Sequence, residues 1–219
     1  ETDPPKYISP KGEGCRLYHS HFAIAAGRYS ERLQDVHAPL RITEGEKKTE
    51  CAALHDPKRI TVGLGGINSW TDHYDGGESR PLTDWDEIPM TGRTVIICPD
   101  SDVQKPTVRA AVKGLAEMLH GKGARVLIER LPNDLDGKRL GLDDLVHKYG
   151  AGYFLRIAAL AQPAFVVKGK GKNAEEVFNL PSEPETAHDR AVYFVGMVGR
   201  HWRQSLNGER FWHQWTGTH

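Results

Sequence analysis

From residue 40 onward the hydrophobic and polar positions fall into a regular alternation of short apolar runs and longer amphipathic stretches. Residues 40–43 read as a strand, followed by Glu44-Gly45 and a short helix over 46–54. Residues 60–64 form a second apolar run, closed by Gly65-Gly66. The run at 94–98 is the most apolar, as expected of a central strand covered on both faces. Val108, Ala111, Val112, Leu115 and Leu119 recur at helical spacing and predict a helix over 106–120. Pro106 suits its first turn, and Gly121 and Gly123 suit its exit. Residues 124–131 read as a fourth strand, and 142–149 and 153–161 as helices. Strands alternating with helices predict βαβ units, right-handed crossovers and an α/β fold with a Rossmann-like parallel sheet flanked by helices.

Around this block, 40–166, the texture differs. Residues 1–39 form a mixed lead-in, with a short strand predicted at Lys6-Tyr7-Ile8-Ser9-Pro10 and a turn at 12–14. Residues 167–188 carry a Gly/Lys run and then a Pro/Glu run, which predicts an exposed linker. Residues 189–219 read as the start of a downstream module, with a helix over 189–201 and Trp202, Trp212 and Trp215 in its tail. With no initiator Met and an abrupt end after an aromatic cluster, the 219 residues are expected to be a piece of a longer protein.

Composition narrows the setting. No apolar run approaches the roughly 18–20 residues that span a bilayer, so no membrane role is expected. The polar, proline-rich start does not resemble a signal peptide. Cys15, Cys51 and Cys98 are odd in number and widely spaced, which fits neither a disulfide framework nor a zinc knuckle. A reducing, cytoplasmic setting is expected, with Cys98 as a small core residue. Cys15 with His19 and His21 lacks a fourth zinc ligand. Lys+Arg and Asp+Glu balance at 29 each, so a case for nucleic acid must rest on local sites.

The local chemistry lies at strand ends. In an open parallel sheet, ligands bind beyond the carboxyl ends of the strands. Glu44 follows the first strand, Asp100 and Asp102 the third, and Asp143 and Asp144 come after the fourth and a loop. Carboxylates gathered at one edge repel one another, and a divalent cation removes that cost. Mg²⁺ prefers one or two carboxylates plus phosphate oxygens, which points to phosphoryl transfer. The competing reading of Asp143, which opens a helix, is an N-cap.

The segments Ile42-Thr43-Glu44-Gly45-Glu46-Lys47-Lys48, Gly65-Gly66-Ile67-Asn68-Ser69-Trp70, Pro99-Asp100-Ser101-Asp102 and Gly141-Leu142-Asp143-Asp144-Leu145 together resemble a TOPRIM domain. More narrowly, they resemble the TOPRIM-like domain of unknown function found in phage- and plasmid-type primases and primase-helicases. The lead-in Lys6-Tyr7-Ile8-Ser9-Pro10-Lys11 and Arg16-Leu17-Tyr18 shares the likeness. The resemblance implies Glu44 as metal ligand or acid/base group and Asp100 and Asp102 as catalytic Mg²⁺ ligands, with Mn²⁺ as a substitute. Asp143 and Asp144 compete for the third acidic position. It further implies DNA primer synthesis by nucleotidyl transfer, with single-stranded DNA and nucleotides as partners and a fused or associated helicase module. A TOPRIM nuclease needs the same metal site. A module that only binds nucleic acid for a helicase would keep the fold without turnover.

The remaining features have a functional and a structural reading each. Lys47 and Lys48 stand in the first turn of a helix, against its dipole, a conflict that a phosphate would relieve and that pointing into water also answers. Lys105, Arg109 and Lys113 are four residues apart and form one stripe. That stripe is a path for phosphates or a solvated face, with Lys113 pairing to Glu117. Gly65-Gly66 is expected to make a turn, and Trp70 to pack rather than stack on a base.

Overall fold

The computed structural model describes residues 14–73, 78–134, 136–169 and 174–181. The chain enters through β1 (Tyr18–His19), α1 (His21–Ala25) and α2 (Tyr29–Gln34). The main unit follows as β2 (Leu40–Glu44), α3 (Glu46–His55) and β3 (Ile60–Leu64). A small ribbon, β4 (Thr71–His73) with β5 (Ser79–Pro81), precedes β6 (Thr94–Cys98), α4 (Pro106–Gly121) and β7 (Arg125–Ile128). Helices α5 (Leu142–Tyr149) and α6 (Ala151–Ala158) lead to β8 (Gln162–Pro163), β9 (Phe165–Lys168) and β10 (Glu175–Phe178).

The main sheet has the order β1-β3-β2-β6-β7-β8. Its four inner strands are parallel, and β1 and β8 close the edges antiparallel. Leu40 lies opposite Val95 and Thr43 opposite Cys98, so β2 and β6 finish together at one edge. Side chains alternate between faces along a strand. Leu40, Ile42, Val95, Ile97, Val126 and Ile128 pack with Val112, Leu115 and Leu119 of α4 in one core. Cys98 packs with Ala52, Leu142, Leu145, Phe154 and Ile157 in a second core under α3, α5 and α6. Each fully buried Leu or Ile contributes about 1.5–3 kcal/mol against exposure, enough in sum to fix the register. Among the described residues, no helix is long and apolar enough to cross a membrane.

The α/β expectation holds, and β2, β3, β6, α3, α4 and α5 fall within a residue or so of their expected bounds. β7 is shorter than expected, and α6 starts two residues earlier. The described part of the lead-in belongs to the sheet, since Tyr18 pairs with Gly63 along β3. Glu50 on α3 pins it there, accepting from the Tyr18 hydroxyl (2.6 Å), the Ser20 hydroxyl (2.8 Å) and the His21 amide (2.7 Å). Burial alone would raise the Glu50 pKa, but these donors hold it below its ordinary value. The buried Arg93 guanidinium donates to the carbonyls of Ala38 (2.9 Å), Leu33 (2.6 Å) and Arg32 (3.2 Å), tying the end of α2 to the base of β6.

Residues 167–188 differ from the expected open linker in their described part. β9 and β10 form an antiparallel hairpin, and Phe165, Phe178 and Leu180 pack against the first core. The Gly/Lys run hid alternating apolar residues on either side of it, and these seat the hairpin on the domain. The expected strand at 6–10 and the module at 189–219 lie outside the described residues.

Candidate functional site

The carboxyl edge of the sheet collects the acids. Glu44 is the last residue of β2, and the chain leaves it through Gly45 at φ 96°, a left-handed turn that favours glycine. That turn starts α3 at once and brings Lys48 over the edge. β6 ends at Cys98, and the Pro99-Asp100-Ser101-Asp102 turn follows it. The Ser101 amide donates to the Leu140 carbonyl (3.1 Å), and the Leu140 amide donates back to the Ser101 hydroxyl (2.8 Å). This reciprocal pair clamps the segment before α5 onto the turn after β6. It places Arg139, Gly141 and Asp143 beside Asp100.

Asp100 is only 1% exposed. Its Oδ2 takes Lys48 Nζ at 2.8 Å and also the Arg139 guanidinium. Its buried Oδ1 has no hydrogen-bond partner, and neither has the buried Oδ1 of Asp143. Both unpaired oxygens lie close to Gly141, where the packing leaves no room for a side chain. A Cβ added there would lie 2.9 Å from Asp143 Oδ1, 3.5 Å from Asp100 Oδ1 and 2.7 Å from Lys48 Cε. Arg139 also approaches Glu44 Oε1 at 3.9 Å and Asp102 Oδ2 at 3.7 Å, so one guanidinium touches three acids. Burial raises the Glu44 pKa, and Asp100 and Asp102 push the same way against Lys48 and Arg139. The Arg139 pKa is raised, first by its hydrogen bond to Asp100.

The expected residues divide on inspection. Glu44, Asp100 and Asp102 do meet at one edge, but through Arg139. Among the described residues, no group of three or more His, Cys, Asp or Glu side chains is arranged to hold a metal ion. Of the two competing aspartates, Asp143 faces Asp100, and Asp144 points to solvent. Lys48 joins the site, whereas Lys47 is exposed. Lys105 pairs with Asp102 at 3.0 Å from the rim. Arg109 is exposed on α4, and Lys113 pairs with Glu117 at 3.5 Å on the solvated face. Gly65 and Gly66 make the expected turn, and Trp70 packs against the first core. His19 Nδ1 lies 2.6 Å from the Tyr29 hydroxyl rather than in a zinc set.

Asp100 and Asp143 do offer two unpaired carboxylate oxygens, hard donors of the type that Mg²⁺ or Mn²⁺ takes, but Lys48 and Arg139 already balance Asp100. Sequence reasoning missed Arg139, which sits in a loop without periodicity. The signal was its place two residues before Gly141, in the segment that carries the third acid.

A second polar cluster was also missed. Arg41, on β2, is fully buried. Its guanidinium holds Asp56 at 2.8 Å and Glu129 at 3.0 Å and covers the Phe154 ring at 4.8 Å. Arg59 adds a second cation on Asp56. Burial raises the Glu129 pKa against the pull of Arg41.

With this geometry in place, the chain can be set beside known proteins. A family model described as Domain of unknown function (DUF3854) matches residues 29–153, more than half of the chain. No curated protein matches. Among solved structures, the chain is similar to a DnaG primase catalytic domain bound to ssDNA, at TM-score 0.48 and 21% identity over 74% of this chain and 45% of that one. It is also similar to the zinc-binding and RNA polymerase domains of the Aquifex aeolicus primase, at TM-score 0.45 and 16% identity over 91% of this chain and 41% of that one. The chain thus spans less than half of either structure. Neither likeness reaches a TM-score of 0.5, so the chemistry has to come from the side chains.

Proposed function

This chain belongs to the DUF3854 family, and from that premise we propose Mg²⁺-dependent nucleotidyl transfer on nucleic acid, as the TOPRIM-like part of a mobile-element DNA primase or primase-helicase. The observation that carries the reading is the pair of buried, unpaired oxygens on Asp100 and Asp143 beside Gly141. A buried carboxylate oxygen without a partner costs about 1–3 kcal/mol or more, which a ligand would return. A divalent cation held there would supply charge stabilisation for phosphoryl transfer.

The chain's own groups then have distinct tasks. Asp100 and Asp143 would hold the cation, with Asp102 beside them at the rim. Lys48 balances Asp100 and keeps its carboxylate oriented. Glu44, its pKa raised by burial, is the acid of the three best suited to exchange a proton. Lys47, Lys105 and Arg109 are exposed cations along which a single-stranded backbone can run. Nucleotides and single-stranded DNA are the proposed substrates, and a helicase module the proposed partner.

The test is nucleotide incorporation on a single-stranded DNA template with Mg²⁺ or Mn²⁺, beside a strand-cleavage assay. The reading expects metal-dependent incorporation that falls at least a hundredfold in Asp100→Asn. Cleavage without incorporation would make the chain a nuclease, and neither activity would leave a binding module.

A further inference from the structure

The acids at the carboxyl edge are sheltered, and the cations paired with them stand further out. The Asp100 side chain is 2% exposed, Asp102 12% and Glu44 19%. Lys105, by contrast, is 64% exposed and Arg139 51%. Asp102 pairs with Lys105 at 3.0 Å and with Arg139 at 3.7 Å, and Glu44 with Arg139 at 3.9 Å. Asp100 holds both Arg139 and Lys48. Two further exposed cations flank this layer, Lys47 in the first turn of α3 and Arg109 in that of α4. Glu46 and Asp144 are the exposed acids in the first turns of α3 and α5.

A bare row of carboxylates repels a phosphate backbone, and a divalent cation is the usual remedy. Here the chain's own side chains supply it. Resting on the nucleic-acid reading above, we propose that this edge binds single-stranded DNA without a divalent metal, with Lys47, Lys105, Arg109 and Arg139 facing the phosphates. Lys48 and Arg139 cancel the repulsion of Glu44, Asp100 and Asp102, so an approaching strand meets the cations and not the acids beneath them. Arg139 keeps its carboxylates in doing so. A guanidinium has five N–H donors, and those not spent on Asp100 remain for a phosphate oxygen on its exposed side. Phosphate contacts of this kind hold a strand without reading its bases, so the binding is independent of sequence and weakens with salt. Mg²⁺ then bears on the reaction and not on holding the template.

The test is fluorescence anisotropy of a labelled single-stranded oligodeoxynucleotide with the 219-residue chain, with Arg139→Gln and with Arg139→Gln/Asp102→Asn. Each is titrated in EDTA and in MgCl2 at matched ionic strength, after thermal melts show all three folded. Wild type should bind in EDTA with a Kd within about threefold of that in MgCl2. Arg139→Gln should bind about tenfold more weakly in EDTA, because its acids are no longer balanced. The double variant, whose net charge equals that of wild type, should regain most of that loss, which an arginine serving only as a phosphate contact would not allow. Binding that requires Mg²⁺, an unchanged Kd in Arg139→Gln, or no recovery in the double variant overturns the inference and leaves the nucleic-acid reading standing. Binding in neither buffer overturns both.

Discussion

Strand β2 carries an ion cluster at each end, and the two differ in how their cation is held. At its start, Arg41 binds Asp56 and Glu129 with all three residues buried, and Phe154 lies over the guanidinium. At its end, Glu44, Asp100 and Asp102 meet a guanidinium that comes from a loop and is half exposed. Both clusters match acids to bases, so charge balance alone does not mark a site. What separates them is whether the cation can leave. Arg41 is enclosed by the second core and has nowhere to go. Arg139 is half exposed on a loop; unpaired atoms do not separate the two clusters, since Arg41 Nη1 and Glu129 Oε1 lack partners just as Asp100 Oδ1 does.

The largest expected effect breaks the closed cluster. Arg41→Met leaves Glu129 and Asp56 buried without their shared partner and should cost about 3–5 kcal/mol in urea unfolding, a large share of a domain's stability. A loss under about 1 kcal/mol would mean that Arg59 and water can replace Arg41, and that the cluster is not closed.

The next effect sharpens the open cluster. Gly141 has φ −87°, which an alanine backbone tolerates, but its Cβ would lie 2.7 Å from Lys48 Cε and 2.9 Å from Asp143 Oδ1, so Gly141→Ala should fold with these two side chains shifted. The shift would move Asp143 from beside Asp100, and Mg²⁺ affinity should fall about tenfold by calorimetry. Unchanged affinity would place the cation elsewhere on the edge.

The smallest effect concerns Glu44. Its pKa is raised in the fold by burial and by Asp100. The ionised form therefore disfavours the fold above that raised pKa, and the cost disappears below the ordinary carboxylate range. Metal-free Glu44→Gln should melt about 2–4 °C higher than wild type at pH 7, with the gap closing near pH 4. A gap that instead widened on acidification would reverse the sign of the shift.

The open cluster was mostly legible in the sequence, and the closed one was not. Glu44, Asp100 and Asp102 follow apolar runs that can only be strands, and the edge beyond a parallel sheet is where such residues meet. Asp143 could be separated from Asp144 only by the turn of α5. Arg139 follows no period, and its role comes from the Ser101–Leu140 clamp, a tertiary fact. Arg41 alternates with Leu40 and Ile42, so it reads as the polar face of a half-exposed strand. The clue was that a central parallel strand has no exposed face, so a charge there must have a buried partner. The edge strands β1 and β8, two residues each, are defined by pairing rather than by pattern.

The central claim is that Asp100 holds a divalent cation, and a melting experiment addresses it most directly. Wild type and Asp100→Asn are melted with and without Mg²⁺. The account predicts that Mg²⁺ raises the wild-type Tm and leaves that of Asp100→Asn unchanged, while the variant without metal melts somewhat lower than wild type, since it loses the buried charge that Lys48 and Arg139 hold. Stabilisation of neither protein, or of both equally, would contradict it.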